Sequence, residues 1–254
     1  MLSGRGREQK ERVSVEAVTL HPLAATGFAN VAEDYDRGRP DYPPEAVALL
    51  GLAPGARVLD LAAGTGKLTR VLRAAGYDVV PVEPLAAMRA RIEGAVDGTA
   101  EAIPLPDASV DGATIGDAWH WFDHERAGAE LARVVRPGGV AAILWQGPAG
   151  DDLPAWSRAT ATVLNRIRPE HPAFRMSGPP DFGPGFPPVE HHSVPFTYAT
   201  DRERYVAFVS SMSYVSSLGP AEKASVLREI ADLLPDGPLE LPYATQVFVS
   251  RRLG

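Results

Sequence analysis

The chain has no cysteine, no excess of basic residues and no long hydrophobic run, and each absence excludes a class of protein. Without cysteine it forms no disulfide, thiolate zinc site or cysteine nucleophile, which fits a reducing compartment. Its formal net charge of -7 argues against nucleic-acid binding, which needs a concentrated basic surface. The most hydrophobic run, residues 140–145, is far too short to span a bilayer. We therefore expect a cytoplasmic, soluble monomer or homodimer that acts on a small molecule, with no nucleic-acid or membrane partner.

Strand-like and helix-like patterns alternate along most of the 254 residues. Strands are predicted at 57–61, 77–82, 110–115, 140–145, 191–198 and 244–250. Helices are predicted at 44–50, 67–75, 85–92, 123–135, 155–167, 202–217 and 221–234. Such alternation is typical of a mostly parallel sheet covered by helices on both faces. Open sheets of this kind bind ligands at the carboxyl ends of their strands, which is where we expect the site.

Composition divides the chain into four parts. Residues 1–26 are charged and weakly periodic, and we interpret them as a mobile arm. Residues 27–146 form the predicted ligand-binding core. Residues 147–188 are rich in proline and glycine around one helix and are interpreted as a lid or cap insertion, and residues 189–254 complete the sheet and add helices on the substrate side.

The segment VLDLAAGTGKLTR, residues 58–70, places two glycines between a predicted strand and a predicted helix. Gly64 and Gly66 allow a close approach of backbone to ligand, or a positive φ. The following helix start offers free backbone N–H groups and the positive end of a helix dipole. A tight strand-to-helix turn without a ligand is the alternative.

Glu83 ends the second predicted strand, 23 positions after Asp60. A carboxylate at this place can accept hydrogen bonds from both hydroxyls of an adenosine ribose. A dinucleotide site would have the pattern G-x-G-x-x-G. Here Ala62 holds the first glycine place, Gly64 and Gly66 follow, and Thr69, three positions after Gly66, stands where the last glycine would be. The turn therefore favours an adenosine attached to a group smaller than a second nucleotide.

Four segments, in order and spacing, resemble motifs of the class I S-adenosylmethionine-dependent methyltransferases. They are VLDLAAGTG, VVPVEP, GTAEAIPLPDASVDGATIGDAWHWFD and LARVVRPGGVAAILW, and the resemblance covers about residues 35–145. The segments VAEDYDRGRPDYP and DAWHWFD resemble the small-molecule branch near the trans-aconitate and ubiquinone/menaquinone methyltransferases. The resemblance implies a Rossmann-like α/β fold, with a mostly parallel seven-stranded sheet, helices on both faces and a lid insertion.

The resemblance also implies S-adenosylmethionine as cofactor and S-adenosylhomocysteine as product. Methyl transfer to a small-molecule acceptor is the expected reaction, with oxygen favoured over carbon or nitrogen as the accepting atom. Alternatives are a non-methylating step such as a cyclisation, a non-catalytic partner or sensor that binds the cofactor, and, last, a nicotinamide oxidoreductase.

The resemblance assigns cofactor-binding roles to individual residues. The backbone of Ala62, Gly64 and Gly66 would surround the methionine moiety, with Asp60 nearby. Glu83 would bind the ribose. The remaining assignments are Pro84 and Met88 packed on the adenine, Ala100 and Glu101 along its edge, Asp117 near the amino group or the reacting methyl, and Tyr35 with Arg39 on the N-terminal cover.

Several assignments have alternatives. Arg39 suits the cofactor carboxylate because a guanidinium matches a carboxylate geometrically, but it could instead pair with Asp36 or Asp41. Met88 could be helix core, and Asp60 could cap the following turn. Two positions depart from the family pattern: alanine replaces glycine at residue 62, and Thr99 stands where an acidic residue is common, so that Glu101 or the Ala100 backbone would contact the adenine amino group.

His120 is a candidate general base, together with Asp117, for an acceptor that must lose a proton. It lies beside Trp119, Trp121 and Phe122, which could form the wall of a substrate pocket. Alternatively, His120 hydrogen-bonds a backbone carbonyl and the aromatic rings are packing. No metal site is expected, because the chain lacks cysteine and has no H-x-x-x-H pair on a helix.

Overall fold

The computed structural model describes residues 32–167 and 178–254. The predicted arm, residues 1–26, lies outside these ranges, as does part of the predicted lid, residues 168–177. The helices are α1 Ala32–Gly38, α2 Pro44–Ala48, α3 Lys67–Ala74, α4 Ala86–Arg89, α5 His124–Val134, α6 Ala155–Asn165, α7 Arg202–Ser210, α8 Ser213–Ser216 and α9 Pro220–Leu233, with a 3-10 helix at Trp119–Trp121. The strands are β1 Arg57–Leu61, β2 Asp78–Val82, β3 Val110–Gly116, β4 Val135–Pro148, β5 Glu190–Thr200 and β6 Leu239–Arg251.

These strands form one mixed sheet in the order β2-β1-β3-β4-β6-β5. The first four strands in that order run parallel to one another. β6 runs antiparallel to both β4 and β5. The predicted α/β fold is confirmed, and the carboxyl ends of β1, β2 and β3 meet at one edge of the sheet.

The predicted seven-stranded sheet is wrong in its strand number: the described residues form six strands. Next to β2 the chain makes only an isolated bridge, between Val96 and Val82. Three residues later the chain turns, where the Ala102 N–H donates to the Thr99 carbonyl at 3.3 Å. The chain therefore leaves the sheet edge before a seventh strand can form.

Apolar side chains form a core on each face of the sheet, because β1 and β3 are short aliphatic runs buried almost throughout. Asp123 caps α5 as predicted, accepting from the Arg126 N–H. The predicted helix of the lid is α6, and it packs against α7, where Thr160 and Tyr205 hydrogen-bond at 3.1 Å. Within the described ranges, none of the helices is long and apolar enough to cross a membrane.

Candidate functional site

An open cleft lies at the carboxyl ends of β1, β2 and β3. The predicted site residues that line it are Tyr35, Ala62, Gly64, Glu83, Pro84, Met88, Ala100, Glu101 and Asp117. The lining residues that the sequence did not single out as cofactor contacts are Leu61, Leu85, Gly98, Thr99, Gly116, Ala118, Trp121 and Phe122. The predicted residues outside this lining are Arg39, Asp60, Gly66 and His120.

The glycine turn has the left-handed backbone that its sequence predicts. Gly64 and Gly66 have φ of 59° and 85°, and Gly66 is the N-cap of α3. Ala62 also has a positive φ, 55°, although it carries a Cβ. The turn therefore bends through alanine where the family pattern has glycine.

Glu83 is 4% exposed and faces the cleft directly after β2. One carboxylate oxygen accepts from the Gly64 N–H at 2.9 Å and the other from the Leu85 N–H at 2.8 Å. Burial raises the pKa of Glu83 to about 7, although both N–H bonds favour the ionised form. Each oxygen keeps a further lone pair for a ligand hydroxyl.

Asp60 is not among the residues that line the cleft. It is 1% exposed and accepts a hydrogen bond from the Thr69 hydroxyl in the first turn of α3. This contact agrees with the alternative in which Asp60 fixes the turn. Burial raises the pKa of Asp60 to about 7, and the Thr69 hydrogen bond acts in the opposite direction.

Asp117 directly follows β3 and lines the cleft. Its φ is 51°, in the left-handed region that aspartate tolerates better than most residues. Tyr42 donates to one carboxylate oxygen and the Gln146 N–H to the other, each at 3.0 Å. Burial raises the pKa of Asp117, whereas Arg39 and these two donors favour the charged form.

Arg39 packs between two aromatic rings of different helices. Its guanidinium carbon lies 4.8 Å from the Tyr35 ring centre and 5.4 Å from that of Phe208. The alternative ion pairs are not formed, because Asp36 pairs with Arg70 and Asp41 pairs with Lys67. Tyr35, on α1, therefore contacts Arg39 and also lines the cleft.

Met88 is buried in α4 and also forms part of the cleft wall. Its two interpretations, helix core and adenine contact, are therefore compatible. Glu101 lines the cleft but accepts from the Asp123 N–H at 3.0 Å. The Thr99 hydroxyl is buried and has no hydrogen-bond partner among the described residues. Arg133 of α5 holds the segment between α4 and β3 by donating a hydrogen bond to the Ile103 carbonyl. No local sequence signal indicates this long-range contact.

The aromatic segment divides between cleft and core. Trp121 and Phe122 line the cleft, whereas Trp119 is fully buried and stacks on His124 with ring centres 4.8 Å apart. The His120 ring packs 4.7 Å from Trp121, outside the cleft lining. His124, which the sequence did not single out, hydrogen-bonds the Trp119 carbonyl.

Comparison with known proteins decides the family. A model of the methyltransferase domain matches residues 59–143. An uncharacterized methyltransferase of Mycobacterium tuberculosis is 37% identical over 232 residues, which cover 86% of this chain and 92% of the relative. The chain belongs to the class I S-adenosylmethionine-dependent methyltransferases.

Two further comparisons place this methyltransferase among its relatives. A malonyl-[acyl-carrier protein] O-methyltransferase of Pectobacterium atrosepticum is 37% identical over 158 residues, which cover 57% of this chain and 62% of the relative. A solved structure from Anaeromyxobacter dehalogenans, provisionally assigned as a type II methyltransferase, has a TM-score of 0.56 at 28% identity and covers 85% of this chain and 98% of its own. The predicted family resemblance is confirmed.

Proposed function

We propose that this methyltransferase binds S-adenosylmethionine in the cleft and transfers its methyl group to a small-molecule acceptor. The observation that carries the proposal is Glu83, a buried carboxylate at the end of β2 that faces the cleft. It is tied to the glycine turn through Gly64 and keeps lone pairs for two ribose hydroxyls.

The rest of the cleft fits the remaining parts of this cofactor. Pro84, Met88 and Ala100 offer an apolar surface for the adenine. The buried Thr99 hydroxyl, without a partner in the described part of the chain, suits a polar ring edge. β1 lies between β2 and β3, so Asp117 and Glu83 are on opposite sides of the glycine turn. The methionine moiety would lie on the Asp117 side.

S-adenosylmethionine, when bound, supplies the methyl group as part of a positively charged sulfonium. The chain would contribute mainly alignment and exclusion of water, which suit an in-line displacement. Trp121 and Phe122 form an apolar wall for this purpose. A base role for Asp117 or His120 stays a prediction. Asp117 lines the cleft, whereas the His120 ring packs against Trp121 outside the lining.

The cofactor proposal is tested by titration calorimetry with S-adenosylmethionine and S-adenosylhomocysteine. We expect micromolar binding that weakens about tenfold in Glu83→Gln, a loss of about 1.4 kcal/mol, because an amide accepts fewer ribose hydrogen bonds than a carboxylate. The control is Glu240→Gln, at an exposed position of β6, which should bind like the unmodified protein. Absence of binding by the unmodified protein would reject the proposal.

We propose oxygen as the accepting atom, supported by the relative named as an O-methyltransferase. The test measures release of S-adenosylhomocysteine with panels of carboxylic acids, phenols and amines, followed by mass spectrometry of the products. Methyl esters or ethers are the expected products. Methylated amines without any oxygen-linked product would contradict the assignment.

A further inference from the structure

Tyr42 contacts Asp117 from a different part of the chain. Its hydroxyl donates to one oxygen of the Asp117 carboxylate at 3.0 Å, across 75 positions of sequence. Tyr42 is 7% exposed and precedes α2, whereas Asp117 follows β3. The contact fixes a side chain of the cleft wall from a residue that does not itself line the cleft.

Gly116 makes room for this hydroxyl. A Cβ at residue 116 would lie 2.6 Å from the Tyr42 oxygen and 3.3 Å from Leu68. The next residue is Asp117, which has a left-handed backbone. Gly116 and Tyr42 therefore act together to place the Asp117 carboxylate.

Burial raises the pKa of Asp117, and three neighbouring groups act in the opposite direction. Arg39, the Gln146 N–H and the Tyr42 hydroxyl each favour the ionised carboxylate. Burial and the Asp117 charge raise the pKa of Tyr42 well above its usual range, so Tyr42 donates at physiological pH. Tyr35 and Tyr243 also face the Asp117 charge, which contributes to raising their pKa values.

Both oxygens of Asp117 already accept one hydrogen bond, which fixes the direction of the carboxylate and of its remaining lone pairs. A cation bound there would add to the groups that favour the ionised form. The cation expected beside the glycine turn is the ammonium group of the methionine moiety. We infer that Tyr42 is a positioning residue that orients Asp117 to bind this ammonium group, an inference that rests on the proposed function.

The test compares two ligands that differ in the group Asp117 would bind. S-adenosylhomocysteine carries the ammonium and carboxylate, whereas 5′-methylthioadenosine has only the adenine, ribose and thioether. By calorimetry, Tyr42→Phe should weaken S-adenosylhomocysteine about tenfold and 5′-methylthioadenosine by less than about twofold. Gly116→Ala should give the same pattern, because its Cβ displaces the Tyr42 hydroxyl.

The control is Tyr77→Phe, which removes a hydroxyl 3.5 Å from the Leu52 carbonyl and away from the cleft, and should leave both affinities unchanged. The pH dependence gives a second readout. Loss of the Tyr42 donor raises the pKa of Asp117 further. As the pH is lowered, Tyr42→Phe should therefore lose S-adenosylhomocysteine binding at a higher pH than the unmodified protein does.

Three results would overturn the inference. Unchanged S-adenosylhomocysteine binding in Tyr42→Phe would remove the positioning role while leaving the proposed function intact. Equal losses for both ligands would show that the hydroxyl only supports the fold. If the unmodified protein binds neither 5′-methylthioadenosine nor S-adenosylhomocysteine, the proposed function fails and this inference fails with it.

Discussion

Ala62 and Ala108 have φ of 55° and 45°, a backbone region that costs an L-residue with a Cβ about 1–2 kcal/mol. Ala62 belongs to the glycine turn, whereas Ala108 is exposed and precedes β3. Both positions keep an alanine that the local backbone disfavours. At Ala62 the strain lies in the wall of the cleft.

Ala62→Gly and Ala108→Gly should each stabilise the folded protein by about 0.5–1 kcal/mol, because relief of strain exceeds the greater flexibility of glycine in the unfolded chain. Urea denaturation of each variant measures the change. Ala63→Gly is the control, since Ala63 is not among the described residues with positive φ and its substitution should destabilise. Destabilisation by all three substitutions would show that the strain is not present in solution.

Asp60 gives a second prediction for a single residue. Its pKa is raised to about 7 by burial, so between about pH 4 and 7 the folded protein keeps a proton that the unfolded chain has lost. Stability supplied by the protonated form is therefore lost as the pH rises through this window. Asp60→Asn should be more stable than the unmodified protein by roughly 2–4 kcal/mol at pH 8 and no more stable at pH 4.

Urea denaturation at the two pH values measures this effect. Asp232→Asn, at an exposed position of α9, is the matched control and should show no such difference between the two pH values. An equal gain for Asp60→Asn at both pH values would mean that the buried carboxylate does not titrate in this range.

At the scale of elements, helix α1 connects the glycine turn and α3 with α7. On one side, Asp36 hydrogen-bonds Thr65 and pairs with Arg70, at the start of α3. On the other side, the Ser210 hydroxyl of α7 donates to Asp34 at 2.6 Å. α1 carries Tyr35 into the cleft, so attachment of α1 and ligand binding should be coupled.

Gly38→Ala should separate α1 from α7, because the new Cβ would lie 2.1 Å from the backbone nitrogen of Phe208. We expect a loss of about 2–3 kcal/mol of stability, together with weaker S-adenosylhomocysteine binding. Thermal denaturation and calorimetry measure the two effects. Gly147→Ala is the control, since no atom lies within 4 Å of its added Cβ, and unchanged behaviour of Gly38→Ala would contradict the coupling.

Elements and site residues differ in how far the sequence predicts them. β1 and the helix start at Gly66 were predictable because aliphatic runs and glycines are local signals. The absence of a seventh strand among the described residues was not, because it depends on how the Val96 segment pairs with β2, where it makes only an isolated bridge. The same holds within the site: Glu83 follows from its position after a strand, whereas the orientation of Asp60 depends on a side-chain partner on α3.

For the molecule as a whole, a ligand that binds only the folded state raises its stability. At a concentration of S-adenosylhomocysteine 100 times its Kd, we expect a gain of about 2.7 kcal/mol and a rise in Tm of about 5 °C. Differential scanning calorimetry measures the shift. Glu83→Gln should show a smaller rise at the same ligand concentration, and an equal rise would place the ligand outside the cleft.

The position of β6 has a consequence for biosynthesis. β6 is the last described strand in the chain, but it lies between β4 and β5, and β5 has no other strand neighbour in the described sheet. During translation, β5 therefore emerges from the ribosome before any strand is available to pair with it. We expect the parallel strands β1 to β4 to fold on the ribosome. β5 should stay exposed to chaperones until β6, residues 239–251, emerges.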